Sequence, residues 1–517
     1  MSRDPLSKSA TSAAQTSAAP NTAAPNTDEA VLASMGYSQE LSRRMKGFSN
    51  FAVSFSIICI LSGGINSLGQ GISSIGGASI GIGWPVGCLV SLLFALGMAQ
   101  IASAFPTAGG LYHWGSVLGG RGWGWLTAWL NLIGLVTVLG AINVGTYGFF
   151  MGAFGLTGTS LTQAVFVVVV TALQALINHF GIRLTTRLTD LSGYLIFAVT
   201  TVLTLSLLFF AKNIDVSRLW TFTNYSGALG GDVWPQSSSL LNLFLLCLLL
   251  PIYTITGFDA SAHTAEETVD AQRVVPRGIV SSVVWSALFG WVLLCAFVLA
   301  IPDLKAAAAS GFGVFFQTMG AVIPQPLRTA LYIGVLLAQL LCGLATVTSV
   351  SRMTYAFARD GGLPFSGALR RVQATLKTPV AAIWTTAIIS VLFTLFTSVY
   401  TTIVSVTVIF LFLSYGLPIT LGLFAYGRTW TRMGPWNMGP LYRLVAVLVA
   451  ACVALIFFVG VQPPNAGALR ITLGFLALTA VIWYGLERRR FQGPPSSDLV
   501  GAKSPEVAAP LGSISSD

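Results

Sequence analysis

Ser62-Gly63-Gly64-Ile65 and Thr256-Gly257-Phe258-Asp259 are the stretches that decide the fold, because each interrupts a long apolar segment near its middle. Backbone that unwinds at bilayer depth is tolerated only where it is buried in protein or lines a cavity. Interrupted segments at corresponding places in two halves of a membrane protein are typical of secondary transporters, which bind substrate there. We therefore interpret the chain as a transporter rather than an enzyme, with its substrate site at these two breaks.

The composition indicates an all-α integral membrane protein. Of 517 residues, 54% are hydrophobic and 9% are charged, whereas about a quarter of the residues of soluble domains are charged. Apolar stretches of about 20 residues, long enough to cross a bilayer as helices, recur along the chain. They lie near 49–76, 81–104, 124–152, 160–180, 188–211, 238–267, 277–301, 327–352, 380–399, 401–426, 442–462 and 468–487. The pattern predicts twelve transmembrane helices in contact with the lipid bilayer.

The distribution of the basic residues predicts how these helices are oriented. The chain has 27 Lys and Arg against 17 Asp and Glu, a net charge of +10. If the N-terminus is cytoplasmic, all but five basic residues fall on the cytoplasmic side, as the positive-inside rule requires. The exceptions are Lys212, Arg218, Lys305, Arg328 and Arg470. We expect a multi-pass protein of the cell membrane (plasma or inner membrane) with both termini cytoplasmic and no nucleic-acid partner.

Three regions are predicted along the chain. Residues 1–45 and 491–517 are rich in small and polar residues and are predicted to be disordered cytoplasmic tails, with the transporter domain at 46–490 between them. The six cysteines fall in apolar segments without metal-ligand spacing, and the three histidines are scattered. This pattern predicts no disulfide framework, zinc site or cofactor, apart from an ion that drives transport.

The spacing of the two breaks predicts an inverted repeat. Segment 1 leaves the cytoplasm and breaks at Gly63-Gly64, and segment 6, five spans later, enters from the opposite side and breaks at Gly257. An odd number of spans in each unit makes the two units antiparallel, which is the architecture of five-plus-five inverted-repeat transporters. Segments 11 and 12 lie outside the predicted repeat.

The breaks have the chemistry of a site for a zwitterion. After the first break the outer half-helix begins near Ile65, where unpaired N–H groups and a positive dipole end suit a carboxylate. Before the second break, the half-helix that ends at 253–255 exposes carbonyl groups that suit an ammonium group or a metal cation. Glycines also let membrane helices pack closely, so packing is the alternative role for Gly63, Gly64 and Gly257.

Asp259 is an acidic residue within an apolar segment, two residues after Gly257. Such residues are costly in a membrane and mark functional paths, so Asp259 is a candidate for proton coupling. The alternative is that its carboxylate caps the following half-helix. The acidic residues near the cytoplasmic end of segment 6 are expected to make solvated contacts with neighbouring arginines. They are Glu266, Glu267 and Asp270, near Arg273 and Arg277.

Four motifs, in this order along the chain, carry a resemblance to a known family. They are Gly47-Phe48-Ser49-Asn50-Phe51 leading to Ser62-Gly63-Gly64-Ile65, Phe105-Pro106-Thr107-Ala108-Gly109-Gly110-Leu111-Tyr112, Gly257-Phe258-Asp259-Ala260-Ser261-Ala262-His263-Thr264-Ala265-Glu266-Glu267, and Ser351-Arg352 with Ala358-Arg359-Asp360-Gly361-Gly362-Leu363-Pro364. Over about residues 40–490 the chain resembles permeases of the amino acid, polyamine and organocation (APC) superfamily. The segment 6 motif is most similar to the amino acid and choline permease branch, which includes γ-aminobutyrate permeases.

The resemblance implies a leucine-transporter-like fold with broken helices 1 and 6, in which alternating access takes place around a central site between segments 1, 3, 6 and 8. It places a carboxylate-binding loop on the first break, and amino-group carbonyls and an aromatic gate on the second. These residues are Ser62, Gly63, Gly64 and Ile65 in the first break, and Tyr253, Thr256, Gly257 and Phe258 in the second. The gate is Phe258, with Tyr253 either assisting it or packing in an apolar core.

The resemblance leaves the coupling ion open. Some proton-coupled relatives carry a lysine in segment 5, but residues 188–211 contain none. Asp259 stands where some relatives carry a glutamate proposed to sense protons. In segment 8, Ala345, Thr348 and Ser349 resemble a carbonyl and two hydroxyls that help bind Na⁺ in distant members of the fold, and hard cations prefer oxygen ligands. Sodium coupling, proton coupling and exchange all remain alternatives.

The predicted function is secondary active transport of amino acids or related amines such as γ-aminobutyrate across the cytoplasmic membrane, as a permease working by symport. Choline fits less well, because it lacks the carboxylate that the first break suits. A channel would show a repeated filter or a ring of charges, and an enzyme would need a polar cluster near one face. The remaining alternatives are a choline or polyamine carrier, an exchanger, and a membrane solute sensor that does not transport.

Overall fold

The computed structural model describes residues 27–227, 234, 236–396, 400–463 and 465–495. Within these ranges the chain is a bundle of helices without a β-strand. The first nine helices are α1 Thr27–Ser34, α2 Gly47–Ile58, α3 Gly63–Asn66, α4 Leu68–Ile75, α5 Trp84–Ala104, α6 Leu111–Gly119, α7 Arg121–Phe154, α8 Ser160–His179 and α9 Ile182–Phe210. They are followed by α10 Leu240–Cys247, α11 Leu249–Thr254, α12 Ala260–His263, α13 Ala271–Ala300, α14 Leu304–Ala309, α15 Val314–Val322, α16 Gln325–Arg359, α17 Ser366–Leu369, α18 Val380–Phe396, α19 Tyr400–Ala425, α20 Leu441–Gly460, α21 Ala466–Ile482 and α22 Arg488–Arg490.

Ten helical segments in the described part of the chain are long and apolar enough to cross a membrane. They are Gly47–Asn66, Ser79–Ala104, Arg121–Phe154, Ser160–His179, Ile182–Phe210, Ala271–Ala300, Gln325–Arg359, Thr402–Ala425, Leu441–Gly460 and Gly467–Arg490. The segments predicted near 238–267 and 380–399 are not among these ten. The first is divided into α10, α11 and α12, and α18 has 17 residues. The prediction of an all-helical, multi-pass membrane protein is confirmed.

The two broken segments meet inside the bundle. The first comprises α2, α3 and α4, and the second comprises α10, α11 and α12. α3 packs against α11, and α12 packs against α2. α7 is a largely buried helix that packs against α19, α16 and α6, and α13 packs against α5, α2 and α9. Both breaks therefore lie in the interior, away from the surface of the bundle.

The N-terminal segment 27–45 corrects the prediction of a disordered tail, because it contains α1 and is hydrogen-bonded to the bundle. The Asp28 carboxylate accepts from the Asp270 N–H at 2.8 Å, and the Met45 N–H donates to the Glu267 carbonyl oxygen at 2.8 Å. The composition predicted disorder here because the residue content of a segment gives no information about hydrogen-bond partners that lie far away in the sequence. The first 26 residues of this tail, and the C-terminal tail from residue 496 onward, lie outside the described residues.

A cluster of buried ion pairs joins α16 to the end of the second broken segment. Glu267 and Arg352 pair at 3.1 Å with neither side chain exposed, and Glu266 pairs with Arg359 at 3.0 Å. The Arg359 guanidinium also lies 3.9 Å from the centre of the Tyr37 ring, a cation–π contact with the N-terminal segment. We call these five residues the ion-pair cluster. It ties the N-terminal segment, the second broken segment and α16 together at one end of the bundle.

Asp360, at the C-terminal end of α16, extends this attachment. Its carboxylate accepts hydrogen bonds from the hydroxyls of Tyr37 and Tyr112 at 2.7 and 2.9 Å. Burial raises the pKa of the Asp360 carboxyl, although Arg359 and the two hydroxyls act in the opposite direction. The aspartate therefore depends on these donors to keep its carboxylate ionised. Because Tyr37 belongs to the N-terminal segment and Tyr112 to α6, Asp360 also links these two elements.

The ion-pair cluster also corrects the expectation of solvated contacts at this end. Asp270 does pair with Arg273 at 3.5 Å, and both of these side chains are more than half exposed. Glu266 and Glu267 instead pair with arginines of α16 that lie 93 and 85 residues further along the chain. Two buried acids thus have partners, the buried Arg352 and the largely buried Arg359, that their sequence neighbourhood did not indicate.

We predict that Glu267→Gln lowers the thermal stability of the purified protein far more than Asp270→Asn. The first change leaves the Arg352 charge buried without a carboxylate, which costs about 3–5 kcal/mol. The second removes an exposed pair, which contributes about 0–1 kcal/mol. The melting temperatures of the two variants and the wild type in detergent measure the difference. Equal melting temperatures for the two variants would show that leaving Arg352 without its carboxylate costs no more than losing the exposed pair.

Candidate substrate site at the two helix breaks

The first break contains backbone donors that have no backbone acceptor among the described residues. α2 ends at Ile58, and Cys59 has φ 24° and ψ 84°, in the left-handed half of conformational space, which non-glycine residues rarely enter. The N–H groups of Ser62 and Gly63 both donate to the Cys59 carbonyl oxygen, at 2.7 and 3.1 Å. Those of Gly64 and Ile65 donate to no backbone carbonyl among the described residues. These two N–H groups have the chemistry to bind a carboxylate.

The second break leaves carbonyl groups without a donor. α11 ends at Thr254 and α12 begins at Ala260, and between them Gly257 has φ 87°, a conformation that favours glycine. The Thr256 hydroxyl donates back to the Tyr253 carbonyl oxygen at 2.8 Å. The carbonyl groups of residues 254–256 accept no hydrogen bond from any described residue. They have the chemistry to bind an ammonium group.

The two breaks are in direct contact, each through one glycine. A Cβ atom on Gly63 would lie 2.9 Å from Thr254 Cα, and a Cβ atom on Gly257 would overlap Ile57 Cγ2. A Cβ atom on Gly64 would meet nothing closer than 3.7 Å. Gly63 and Gly257 are therefore required for packing between the broken segments, which was the alternative role of these glycines, and the same contact brings the two sets of unpaired backbone groups together.

The predicted gate residues are buried and in contact with α19. Phe258 is fully buried, and its ring centre lies 4.9 Å from that of Tyr415. Tyr253 is 4% exposed and meets the ring of Tyr400 edge-on at 6.3 Å. A cavity of about 260 Å³ adjoins the first break. Its lining includes Ile65, Asn66, Phe149, Phe312, Phe316 and Tyr400.

The Asp259 carboxyl group is within hydrogen-bond distance of three side chains although it is fully buried. Tyr415 of α19 donates to Oδ1 at 2.8 Å, Asn131 of α7 donates to Oδ2 at 2.9 Å, and His263 Nε2 lies 3.2 Å from Oδ2. The Tyr415 hydroxyl oxygen in turn accepts from the Gly257 N–H at 3.2 Å. The alternative of a helix cap is wrong, because the Asp259 side chain makes no capping hydrogen bond to α12. The carboxylate is instead connected through Tyr415 to the backbone of the second break.

His263 connects Asp259 to the segment that precedes α6. Its Nδ1 lies 3.2 Å from the Ala108 carbonyl oxygen, and its Nε2 lies 3.2 Å from Asp259 Oδ2. Sequence reasoning missed His263, Asn131 and Tyr415. The spacing of four residues between Asp259 and His263 places them on one helical face and was the one available signal.

The predicted sodium ligands lie on α16 beside α2. The Thr348 hydroxyl donates to Asn178 Oδ1 at 2.8 Å and to the Leu344 carbonyl oxygen at 3.2 Å. The Ser349 hydroxyl is buried and has no partner among the described residues, and Ala345 packs in an apolar cluster with Ile57. In the described ranges, no group of three or more His, Cys, Asp and Glu could hold a metal ion.

Gln339 of α16 is a further residue that sequence reasoning missed. Its side-chain nitrogen donates to the Leu61 carbonyl oxygen at 3.0 Å, and its Oε1 accepts from the Asn66 side-chain amide at 3.4 Å. Gln339 therefore contacts the backbone before the unpaired N–H groups of the first break and a side chain after them.

Comparison with known proteins identifies the family. Residues 46–484 match the sequence model of the family described as Amino acid permease. The chain belongs to the amino acid permease family. The predicted resemblance is thereby confirmed, and the protein is a membrane transporter of amino acids rather than an enzyme.

Named relatives of this permease cover nearly its whole length. It is 31% identical over 505 residues to "Amino-acid permease BAT1" of Arabidopsis thaliana, an alignment that covers 90% of this chain and 96% of the relative. It is 31% identical over 500 residues to the rice "Amino-acid permease BAT1 homolog", covering 90% and 95%. It is also 26% identical over 507 residues to the "GABA-specific permease" of Saccharomyces cerevisiae, covering 91% and 86%.

We predict that Gly63→Ala destabilises this permease and that Gly64→Ala does not. The methyl group at position 63 meets the backbone of Thr254, and overpacking of this kind costs about 1–3 kcal/mol. The methyl group at position 64 has ordinary contact distances, and replacing glycine by alanine reduces the entropy of the unfolded chain. Melting temperatures of the two variants in detergent test this difference. A drop for Gly64→Ala as large as that for Gly63→Ala would contradict the packing described above.

Proposed function

We propose that this permease is a proton-coupled symporter that carries amino acids, including γ-aminobutyrate, across the cell membrane by alternating access. The observation that carries the proposal is the connection of the buried Asp259 carboxyl group to the second break through Tyr415, with His263 Nε2 3.2 Å from Asp259 Oδ2. A coupling ion must influence the conformation of the substrate site, and here the carboxylate is one hydroxyl away from the Gly257 N–H of the second break.

The proposal includes the twelve-helix fold with a five-plus-five inverted repeat. The second broken segment and α18 join the ten long spans to make twelve. Support for the repeat comes from the way the broken segments pack, each through its own glycine onto the other. The positive-inside distribution of Lys and Arg supports cytoplasmic termini. The end of the bundle that carries the ion-pair cluster is then the cytoplasmic end.

The substrate is proposed to bind as a zwitterion across the two breaks. Its carboxylate would accept from the N–H groups of Gly64 and Ile65, and Ser62 and Gly63 would hold the turn that presents them. Its amine would donate to the carbonyl groups of residues 254–256. Phe258 would close over the substrate together with Tyr253. The name of the yeast relative supports γ-aminobutyrate as one substrate, and choline is disfavoured because it lacks a carboxylate.

We propose that one proton is shared between Asp259 Oδ2 and His263 Nε2 while His263 Nδ1 donates to the Ala108 carbonyl oxygen. The shared proton would hold the two side chains together. With one shared proton the Asp259–His263 pair has no net charge, and both side chains are satisfied. Loss of that proton leaves a buried carboxylate facing a ring nitrogen lone pair, which is costly in a low-dielectric interior. The pair would then separate, and because Tyr415 bonds both Asp259 and Gly257, the second break would move with it. Sodium binding at Ala345, Thr348 and Ser349 is the competing proposal for coupling.

Alternating access requires the closed end of the bundle to open. In this structure the ion-pair cluster holds that end together, whereas the cavity of about 260 Å³ lies next to the first break. We propose that this conformation is closed toward the cytoplasm. Opening would separate Glu267 from Arg352 and Glu266 from Arg359, and it would release the N-terminal segment at Tyr37.

We predict that uptake of labelled amino acid into proteoliposomes is driven by an inward proton gradient and not by a sodium gradient. Asp259→Asn should abolish the response to the proton gradient, because the amide has no proton to exchange. Asp190→Asn is the matched control, since Asp190 is a half-buried aspartate of α9 that pairs with Ser49, away from both breaks. It should retain the response of the wild type.

Two results would contradict this assignment of the coupling ion. Uptake that requires Na⁺ and ignores pH would favour the α16 site, and a proton response that survives in Asp259→Asn would remove Asp259 from the coupling step. Binding of substrate without accumulation inside the vesicles would indicate a sensor instead of a carrier.

We predict that free amino acids and γ-aminobutyrate compete for uptake, whereas their carboxamides and choline do not. The carboxamide keeps the amine and the shape but removes the charge that the N–H groups of Gly64 and Ile65 bind, and such a charged hydrogen bond contributes about 1.5–3 kcal/mol. The loss corresponds to a tenfold or greater weakening, at about 1.4 kcal/mol per tenfold. Inhibition constants against one labelled substrate measure it. Equal inhibition by acid and carboxamide would show that the first break does not bind a carboxylate.

A further inference from the structure

An aromatic groove lies on the outside of the bundle between α7 and the last transmembrane segment. It encloses about 380 Å³, and the segment Gly467–Arg490 that forms one wall is the least buried of the ten spans. Its aromatic lining consists of Trp123, Trp125, Trp483 and Tyr484. Tryptophan and tyrosine are enriched at the level where a membrane meets water, so this lining is typical of a surface at the depth of the lipid head groups.

The groove is shaped by close contact between its two walls. The segment after α21 winds into a π-helical turn at Trp483–Glu487, and such turns occur frequently at functional sites. The Trp483 ring approaches Gly122 so closely that a Cβ atom there would lie 2.9 Å from it. Glycine at position 122 therefore lets the indole of Trp483 form the floor of the groove.

A pocket of arginines continues the groove at one end. It encloses about 540 Å³ and shares Tyr484 with the groove. Its lining is Arg121, Tyr484, Arg488, Arg489 and Gln492. The sequence explains the arrangement, because Arg121 is the first residue of α7, and the other two arginines directly follow the π-helical turn. Apolar rings and cationic side chains thus adjoin along one continuous surface.

The charges of this pocket are not neutralised by the described residues. The carboxylate of Glu487, which precedes Arg488 in the chain, pairs with Arg490 at 2.9 Å. Arg121 donates to the carbonyl oxygen of Phe491 at 3.3 Å, a residue of the predicted tail that is in fact buried. Arg488 and Arg489 are exposed and have no acidic partner in the described ranges. The pocket is therefore a site of net positive charge.

We propose that this surface binds one anionic phospholipid, with its phosphate among the arginines and an acyl chain in the aromatic groove. The order of the chemistry along the surface, cationic pocket and then apolar groove, matches the order of phosphate and chain in such a lipid. Basic pockets between transmembrane helices on the cytoplasmic side bind anionic head groups, and guanidinium groups pair with phosphate through two parallel hydrogen bonds. A zwitterionic lipid lacks the net charge that the pocket complements.

The test measures lipid adducts on the full chain in detergent by native mass spectrometry. Phosphatidylglycerol is titrated against phosphatidylcholine with the same acyl chains. We expect one phosphatidylglycerol to bind the wild type in preference to phosphatidylcholine. The double variant Arg488→Gln/Arg489→Gln should weaken that binding by about thirtyfold, from the attraction of two arginines to an anionic surface. The control is Arg370→Gln/Arg371→Gln, another exposed adjacent pair with the same loss of charge, which should bind phosphatidylglycerol as the wild type does.

A second variant tests the groove separately from the charge. Trp483→Ala keeps every arginine and removes the floor, so it should weaken phosphatidylglycerol binding as well. Equal losses in the two arginine variants, or no loss in either, would overturn the proposal, because the arginines would then act only as general membrane anchors. Phosphatidylglycerol binding at the wild-type level in Trp483→Ala would also overturn it, because the aromatic groove would then make no contribution. A dimer whose formation displaces the lipid would overturn it as well, because a second copy of the chain would then cover the groove.

Discussion

The contact between the two helix breaks is the constraint on which the rest of the structure depends. Gly63 lies against the backbone of Thr254, and Gly257 lies against Ile57, so each broken segment fits into the other only where a side chain is missing. Helices that cross at such short distance leave the unwound turns facing protein instead of lipid, which is the condition under which unpaired backbone is tolerated at membrane depth. The same contact gathers free N–H groups and free carbonyl groups in one place.

Charge is used sparingly in this protein, and the buried charges serve two purposes. Asp259 is stabilised by Tyr415, Asn131 and His263 in the middle of the bundle, whereas the ion-pair cluster secures one end. Burying an ion pair costs desolvation that its own attraction barely repays, so buried pairs add little net stability. Because a buried charge is stable only with its partner, a change in the protonation or the partner of such a group shifts the equilibrium between conformations. This property suits a protein that must open and close.

The sequence predicted the broken segments, the free backbone groups around them and an acidic residue, Asp259, inside the second of these segments. It did so because hydropathy, glycine and an isolated acid are local properties. It did not predict the partners of Asp259, since Asn131 and Tyr415 are 128 and 156 residues away. It also paired Glu266 and Glu267 with the nearest arginines in sequence, although the observed partners belong to α16.

The sequence by itself determined that the chain is a helical membrane protein of the amino acid permease type, and where its helices are interrupted, because the bilayer acts on each segment separately. Only the tertiary structure decided which side chains contact Asp259, that residues 27–45 pack against one end, and that Gly63 rather than Gly64 is sterically required. These depend on distances between segments far apart in the chain. Such distances arise when the helices pack, and no local pattern of residues encodes them.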